Sequence, residues 1–470
     1  MLSIFIAILK DLKKTAIIVS IFLILFFSYG HISEITMRYL LIDILLVHII
    51  LMFAFTSLFV FASNFILKKN VNLDKVTIVL NVIATSLILI TLFDISVYKL
   101  ELQFELRNFK KTIASSVNPT ALKESDEFPD IYYIILDRYA SSRSLREFYD
   151  FDNSNFIDYL SAKGFYVASQ SRANYLESFH SLSSSLNMEY INYLKEEIGE
   201  ESTNWAPIHD LLNDFKVRRF LKEKGYKFKF LGPGHWQKIM YDDFCSNSKN
   251  NFSFEFLMTL YSTTMLYPIG AVFDFDKRMM KYKEIQNQFN EIARIAHMNE
   301  RTFVLAHMLL PHWPYVFDRS GNFITRWKER KKGLKQGYLD QLIFTNNKIK
   351  TLIDKLLSSS EIPPVIIVQA DEGPYPQKYS VMYKDEEQYN WENASIEDFR
   401  KKFRILNAYY LPGVEKSALY PSITPVNSFR IIFNHCFDTN FELLPDESYA
   451  FENFRYPYKF FNVSDKVKYN

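Results

Sequence analysis

Three apolar runs open the chain and constrain it more than anything that follows. Met1 to Leu9 is largely apolar and is followed by Lys10, Lys13 and Lys14; Thr15 to Tyr29 then reads TAIIVSIFLILFFSY. A second run extends from Tyr39 to about Leu67, and a third from Val76 to about Tyr98. Some 20 consecutive apolar residues span a bilayer, and only a helix pairs every backbone group of such a segment internally where water is absent. The expectation is a membrane anchor of three transmembrane helices over residues 1–100, the first borrowing residues from its flanks. No small-residue cleavage site follows the first run, which predicts a retained anchor rather than a removed signal peptide. Lys10, Lys13 and Lys14 precede the first span and Lys68, Lys69 and Lys75 separate the second from the third, against Arg38 between the first and second. That bias predicts a multi-pass cell-membrane protein with a cytoplasmic N-terminus and an extracytoplasmic C-terminal domain. Asp43, His48 and Asp94 fall within the spans. They read as helix–helix hydrogen bonds or interfacial snorkelling, with a substrate path as the alternative.

Residues 101–128 are mixed and charged and read as a linker. From Pro129 the pattern alternates. Strands are predicted at Ile131–Leu136, Phe165–Ala168, Tyr226–Leu231, Thr302–Leu309, Val365–Gln369 and Ile405–Leu411. Helices are predicted at about Asn155–Ala162, Phe179–Tyr193, Asp210–Lys224, Lys277–His297, Tyr338–Leu357 and Val426–Asn434. This is the signature of an α/β domain, residues 129–470, with a central, largely parallel sheet flanked by helices. The formal net charge of the 470 residues is +2, which gives no support for a nucleic-acid partner. Cys245 and Cys436 both follow the membrane segments; they pair in an oxidising compartment or stay as two thiols. Nothing in the chain bears on its oligomeric state.

Two strands carry acids at their carboxyl ends. In PVIIVQADEGPYP (Pro364 to Pro376) an apolar, β-branched run delivers Asp371 and Glu372 into a Gly373-Pro374 turn. In PDIYYIILDRY (Pro129 to Tyr139) the strand runs into Asp137. Carboxyl ends of strands are where open α/β sheets gather ligands, and acids from two such ends build a divalent metal site from distant segments. For Asp371 and Glu372 a solvated loop is the alternative. In NYLESFHSLSSSLN, helical periodicity begins after Ser178. Ser178 is then a helix cap, or a hydroxyl beside free N–H donors that suits phosphoryl chemistry. In AHMLLPHWPYVFD, Pro311 and Pro314 hold His312 in a stiff turn at a strand's end, where an imidazole can protonate a leaving oxygen or bind an anion. His307, inside the strand, reads as a packed residue. Asp137, Ser178, Asp371 and Glu372 form an all-oxygen set, which favours Mn²⁺ or Mg²⁺ over Zn²⁺.

With these pieces in this order, the chain from Pro129 to Tyr449 resembles the sulfatase-type branch of the alkaline phosphatase superfamily, and within it the membrane-anchored lipoteichoic acid synthase-like proteins. The resemblance implies that Asp137 (YIILDRY), Ser178 (NYLESFHSL), Asp371 and Glu372 (VQADEGP) hold the metal. It also implies that Ser178 is the nucleophile and that His312 (PHWPY) contacts substrate. Three departures stand out. Glu372 occupies a place where histidine is usual, Arg138 follows Asp137 where many sulfatases have a second acid, and no C/S-x-P-x-R motif is present, which argues against a formylglycine sulfatase. The expectation is a metal-dependent phosphotransferase or phosphodiesterase acting on lipid headgroups or polysaccharides of the cell envelope. The alternatives are a non-catalytic sulfatase-like scaffold in envelope polymer assembly and a serine-dependent sulfuric ester hydrolase.

Overall fold

In the computed structural model the residues described are 11–39, 44–68, 73–75, 77–86, 88–93, 96, 128–233, 236, 260–268, 277–298, 300–376 and 389–469. Asp43, Asp94, Cys245 and nearly all of the linker lie outside them. The chain divides into two compact units, Met1–Asn118 with Lys249–Asp276, and Pro119–Ser248 with Lys277–Asn470.

Among its described residues the first unit contains three helices long and apolar enough to cross a membrane: α1 (Leu12–Tyr39), α2 (Ile44–Lys68) and α3 (Leu73–Phe93). Helices α1 and α2 pack through Ile17, Ile18 and Ile66, with Ile21, Phe59 and Leu73 against them. Ile24, Phe53, Phe61 and Phe93 remain exposed, the outward apolar surface a bilayer solvates. His48 is buried and accepts or donates at Nδ1 to the Tyr29 hydroxyl at 3.1 Å, so this intramembrane polar group joins α1 to α2. Residues 260–268, which the sequence reading assigned to the domain beginning at 129, belong to this unit: Met265 N–H donates to Phe26 C=O at 3.0 Å. Gly30 makes that contact possible, because a Cβ there would collide with the Ser262 carbonyl.

The second unit is built on a six-stranded sheet. Its strands are β1 (Ile131–Leu136), β2 (Tyr166–Val167), β3 (Lys227–Leu231), β4 (Thr302–Met308), β5 (Val365–Gln369) and β6 (Asn407–Tyr410), in the order β2-β6-β5-β1-β4-β3. β1, β3, β4 and β5 are mutually parallel, and β6 runs against β5 and β2. Every residue of β1, β4 and β5 is buried, as helices on both faces of a sheet require. Six strands were expected and six form the sheet, each within two residues of its predicted bounds. The predicted helix over Asp210–Lys224 is two, Ala206–Asn213 and Lys216–Glu223, broken at Asp214-Phe215 where Phe215 turns into the core. The sequence reading omitted several short helices, among them α4 (Ser142–Tyr149) and α5 (Ile396–Phe403), and a hairpin of β7 (Tyr449–Phe451) and β8 (Phe460–Asn462).

Parallel register decides what shares a face. Ile135 pairs with His307 on one side and with Gln369 on the other. Side chains alternate along a strand. Ile131, Tyr133, Ile135 and then Asp137 therefore face the same way as Phe303, Leu305 and His307, and as Val365, Ile367, Gln369 and then Asp371. The apolar members of that face form one core with Leu182 and Leu186 of the Ser178–Asn187 helix and with Phe429 and Ile432 of the Pro425–Cys436 helix. The polar members lie where the strands end.

Candidate metal centre

Asp137, His307 and Asp371 converge at the carboxyl ends of three adjacent strands. One ligand atom from each lies within 4.8 Å of the others, and all three side chains are buried. His307 Nε2 stands 3.6 Å from Asp137 Oδ2 and 3.4 Å from Asp371 Oδ2. A charge-assisted N–H···O bond closes to about 2.7–2.9 Å. Donors held about 2.0–2.1 Å from a shared tetrahedral ion lie about 3.3–3.4 Å apart. Asp137 Oδ1, Asp371 Oδ2 and both His307 nitrogens lack an ordinary hydrogen-bond partner among the described residues. Buried polar atoms are otherwise satisfied with few exceptions, so four orphans in one place fit a cation.

The electrostatics agree. Burial lowers the His307 pKa, but Asp137 and Asp371 outweigh it and raise it to about 9, the mark of a position where negative charge is concentrated. Burial raises Asp371, and His307, the Ser178 hydroxyl beside it and Lys402 reverse that and hold the carboxyl below its ordinary value.

Ser178 is the first residue of its helix. The cap position is Glu177, in extended conformation and without a side-chain capping bond, so Ser178 is not the cap that the simpler sequence reading made it. The other serines of this helix are committed elsewhere: Ser181, Ser183 and Ser184 donate to the carbonyls of Tyr175, Ile208 and Glu189 at 3.0, 3.2 and 2.6 Å. His180 faces Pro457 C=O at 2.9 Å inside an aromatic cluster, and burial pushes it down to about 3.

Glu372 stands apart from the three-residue group. Its carboxylate meets Lys402 Nζ at 2.7 Å and Arg138 Nε at 3.2 Å. Burial raises its pKa to about 7 against the pull of those two cations. Lys402 is fully buried, lies 3.7 Å from Glu177, and covers the Tyr375 ring on which Arg138 also rests at 4.3 Å. Gly373 brings the turn close enough for this. Its N–H donates to Lys402 C=O at 2.6 Å, and a Cβ at that position would collide with the Lys401 carbonyl. Arg138 adopts a left-handed backbone (φ 65°), a conformation that costs a non-glycine residue about 1–3 kcal/mol, and Tyr338 Oη anchors it by donating to its carbonyl at 3.0 Å.

His312 is half-buried in a turn whose carbonyls are pinned from two helices. Lys281 of the Lys277–Ile295 helix donates to His312 C=O at 2.5 Å and to Pro314 C=O at 3.0 Å; Gln341 of the Leu334–Ser359 helix donates to His312 C=O at 2.8 Å. Burial, then Arg138, Lys281 and Lys402, push His312 well below the usual histidine range. Its Nδ1 contacts the Trp313 carbonyl.

Sequence reasoning missed His307, Lys402, Glu177 and Lys281. A histidine inside the apolar strand TFVLAHM was the available signal for the first, since a buried imidazole needs a polar partner. Nothing local marks Lys402, which is one of several lysines and arginines in IEDFRKKF. Cys436 is a half-buried thiol pushed up to about 11 by burial.

No family model matches this chain, and no curated protein does. Solved structures do resemble it. The C-terminal periplasmic domain of EptC from Escherichia coli is 12% identical, with a TM-score of 0.45 over 74% of this chain and 97% of that one. A putative sulfatase, yidJ, from Bacteroides fragilis is 11% identical, with a TM-score of 0.42 over 71% and 83%. The integral membrane lipooligosaccharide phosphoethanolamine transferase A from Neisseria meningitidis is 11% identical, with a TM-score of 0.39 over 86% and 78%. The structural neighbours are thus phosphoethanolamine transferases and sulfatases; at these scores the likeness is one of chain path, and the chemistry has to come from the site.

Proposed function

We propose that this chain is a membrane-anchored, metal-dependent phosphotransferase or phosphodiesterase of the cell envelope, with Ser178 as nucleophile. One observation carries the reading: Asp137, His307 and Asp371 present unpartnered buried donor atoms at three strand ends, with the Ser178 hydroxyl beside Asp371. A divalent ion held by those three residues would supply Lewis-acid charge at the reacting oxygens and favour the ionised serine. The imidazole in the donor set moves the preference from Mg²⁺ towards ions that accept nitrogen, Zn²⁺ or Mn²⁺.

The chain's own residues do the rest. Ser178 Oγ attacks phosphorus, the ester bond to the leaving alcohol breaks as the serine's proton ends on that oxygen, and the phosphoryl group, with any remaining ester substituent, is left on Ser178. The free N–H groups of the helix's first turn face the equatorial oxygens. Arg138 and Lys402 add positive charge, held in place by Glu372. His312, neutral because its pKa is depressed, accepts the proton of the incoming water or alcohol at Nε2 as that oxygen displaces Ser178. Water gives hydrolysis; a lipid or polysaccharide hydroxyl gives transfer. The basic residues flanking the spans support a catalytic domain on the outer side.

The test is turnover of bis(p-nitrophenyl) phosphate by the detergent-solubilised chain with Zn²⁺ or Mn²⁺, in parallel with an aryl sulfate. Metal-dependent diester cleavage lost in Ser178→Ala supports the reading. Cleavage of the sulfate alone, or Asp371→Ala with unchanged metal content and unchanged cellular function, supports a sulfatase or a scaffold instead.

A further inference from the structure

Beside the metal group lies a pocket of about 250 Å³, and its chemistry is unlike that of the metal group. Arg138, Lys335, Lys401, Tyr149, Tyr338 and Trp313 are among its lining residues; no Asp or Glu lines it among the described residues. Arg138 follows Asp137 directly, and Arg138 and His312, both placed on the reacting phosphoryl group in the proposed chemistry, border the space together with Tyr375. Tyr149 stacks on Tyr338 with ring centroids 4.6 Å apart and carries the Lys401 ammonium 4.8 Å from its own ring centroid.

Arg138, Lys335 and Lys401 thus share one pocket with aromatic side chains, Arg138 lying over the Tyr375 ring and Lys401 over the Tyr149 ring. Burial and the Lys335 charge hold Lys401 below the usual lysine range, against Asp398 and Glu397 on its own helix. Glu372, a carboxylate on the Arg138 side, is already engaged by Arg138 and Lys402. Aromatic walls alone would welcome an ammonium by cation–π attraction. With the Tyr149 and Tyr375 rings already carrying the protein's own cations, a further ammonium meets like charge, and an anion meets opposite charge in a partly desolvated space.

We infer that this pocket receives the part of the substrate beyond the reacting phosphorus, and that this part carries a further negative charge, a carboxylate or second phosphate, rather than an amine. The inference rests on the proposed phosphoester chemistry only in that it puts the reacting phosphorus beside Arg138 and His312. Both a lipid headgroup and a soluble glycan can bear such a group.

The test uses three phosphomonoesters that share one phosphate and differ in tail charge: phosphoglycolate (negative), glycerol phosphate (neutral) and ethanolamine phosphate (positive). Binding to the metal-loaded, detergent-solubilised full chain is measured by calorimetry. Phosphoglycolate is expected to bind at least about tenfold tighter than ethanolamine phosphate. The double variant Lys335→Glu/Lys401→Glu is expected to abolish or reverse that order with metal content unchanged. Equal affinities, an amine preference, no binding of any of the three, or an order insensitive to charge reversal each overturns the inference. Phosphodiester turnover is scored separately, so a pocket with the expected preference in a protein that cleaves no diester leaves the inference standing and removes the catalytic reading. Anionic vesicles that compete with phosphoglycolate identify a lipid source, and anionic oligosaccharides that do so identify a glycan.

Discussion

His307 Nε2 lies 3.4 Å from Asp371 Oδ2 although β1 runs between the strands that carry them. The contact spans the end of β1, and Asp137 completes it from that strand. If this triad holds a divalent ion, His307→Ala and Asp371→Asn each remove one of three ligands. Metal content by elemental analysis is expected to fall below about one tenth of wild type at limiting metal, while the circular dichroism of the domain persists. Full metal occupancy in both variants would falsify the assignment.

Ser178→Ala separates nucleophile from ligand group. Diester turnover is expected to drop at least about 10³-fold with metal retained, because Asp137, His307 and Asp371 remain. Ser184→Ala, which loses a bond to the Glu189 carbonyl, serves as the control and is expected to change turnover less than about threefold.

Lys402 and Glu372 form an ion pair with both side chains inside the protein. Lys402→Met leaves a buried carboxylate without its principal partner and is expected to destabilise the domain by about 3–5 kcal/mol. The double change Lys402→Met/Glu372→Gln is expected to recover most of that, read as denaturation midpoints in detergent. No recovery would mean that the two charges do not act as a pair.

Lys281 supplies a pH signature. Burial pushes its ammonium down to about 7 in the fold, against an ordinary value of 10.5. Between those two pH values the unfolded chain binds a proton that the folded chain does not, so this residue's contribution to stability improves as pH rises from about 7 to about 10.5. Below about 7 both states are protonated and the dependence ends. Compared with Lys281→Met, wild type should gain up to about 1.4 kcal/mol per pH unit across that window. A parallel pair of stability curves would show that the ammonium keeps its charge in the fold.

Gly373→Ala tests how the turn after Asp371 is seated. The added methyl meets the Lys401 and Lys402 carbonyls, which are backbone atoms and cannot rotate away. A loss of about 1–3 kcal/mol is expected, together with weaker metal binding as Asp371 shifts. An unchanged melting temperature would show that the turn has slack.

Much of the fold was legible in the chain. The three membrane helices follow from apolar length, and β1 and β5 match their predicted bounds because Pro129 and Pro364 stop the preceding segment and an acid ends each apolar run. Short polar helices such as α5 escaped because their signal, a Ser395 capping box, is no longer than a turn. The candidate site was half legible. Asp137, Asp371 and Ser178 announced themselves by standing at the ends of elements. Glu372 announced itself in the same way, yet its carboxylate turns to Lys402.

The linear chain settled which residues sit at the carboxyl ends of strands, because hydrophobic period and proline boundaries are local properties. It also settled that helices long and apolar enough to cross a membrane precede the domain. Which of those residues meet was decided only by packing. The register of β4 on β1 brings an in-strand histidine level with the end of its neighbour, and the close seating of Gly373 on α5 delivers a lysine 30 residues later to Glu372. Pairings between segments that far apart depend on sheet order and backbone approach, and neither is written in any single stretch of sequence.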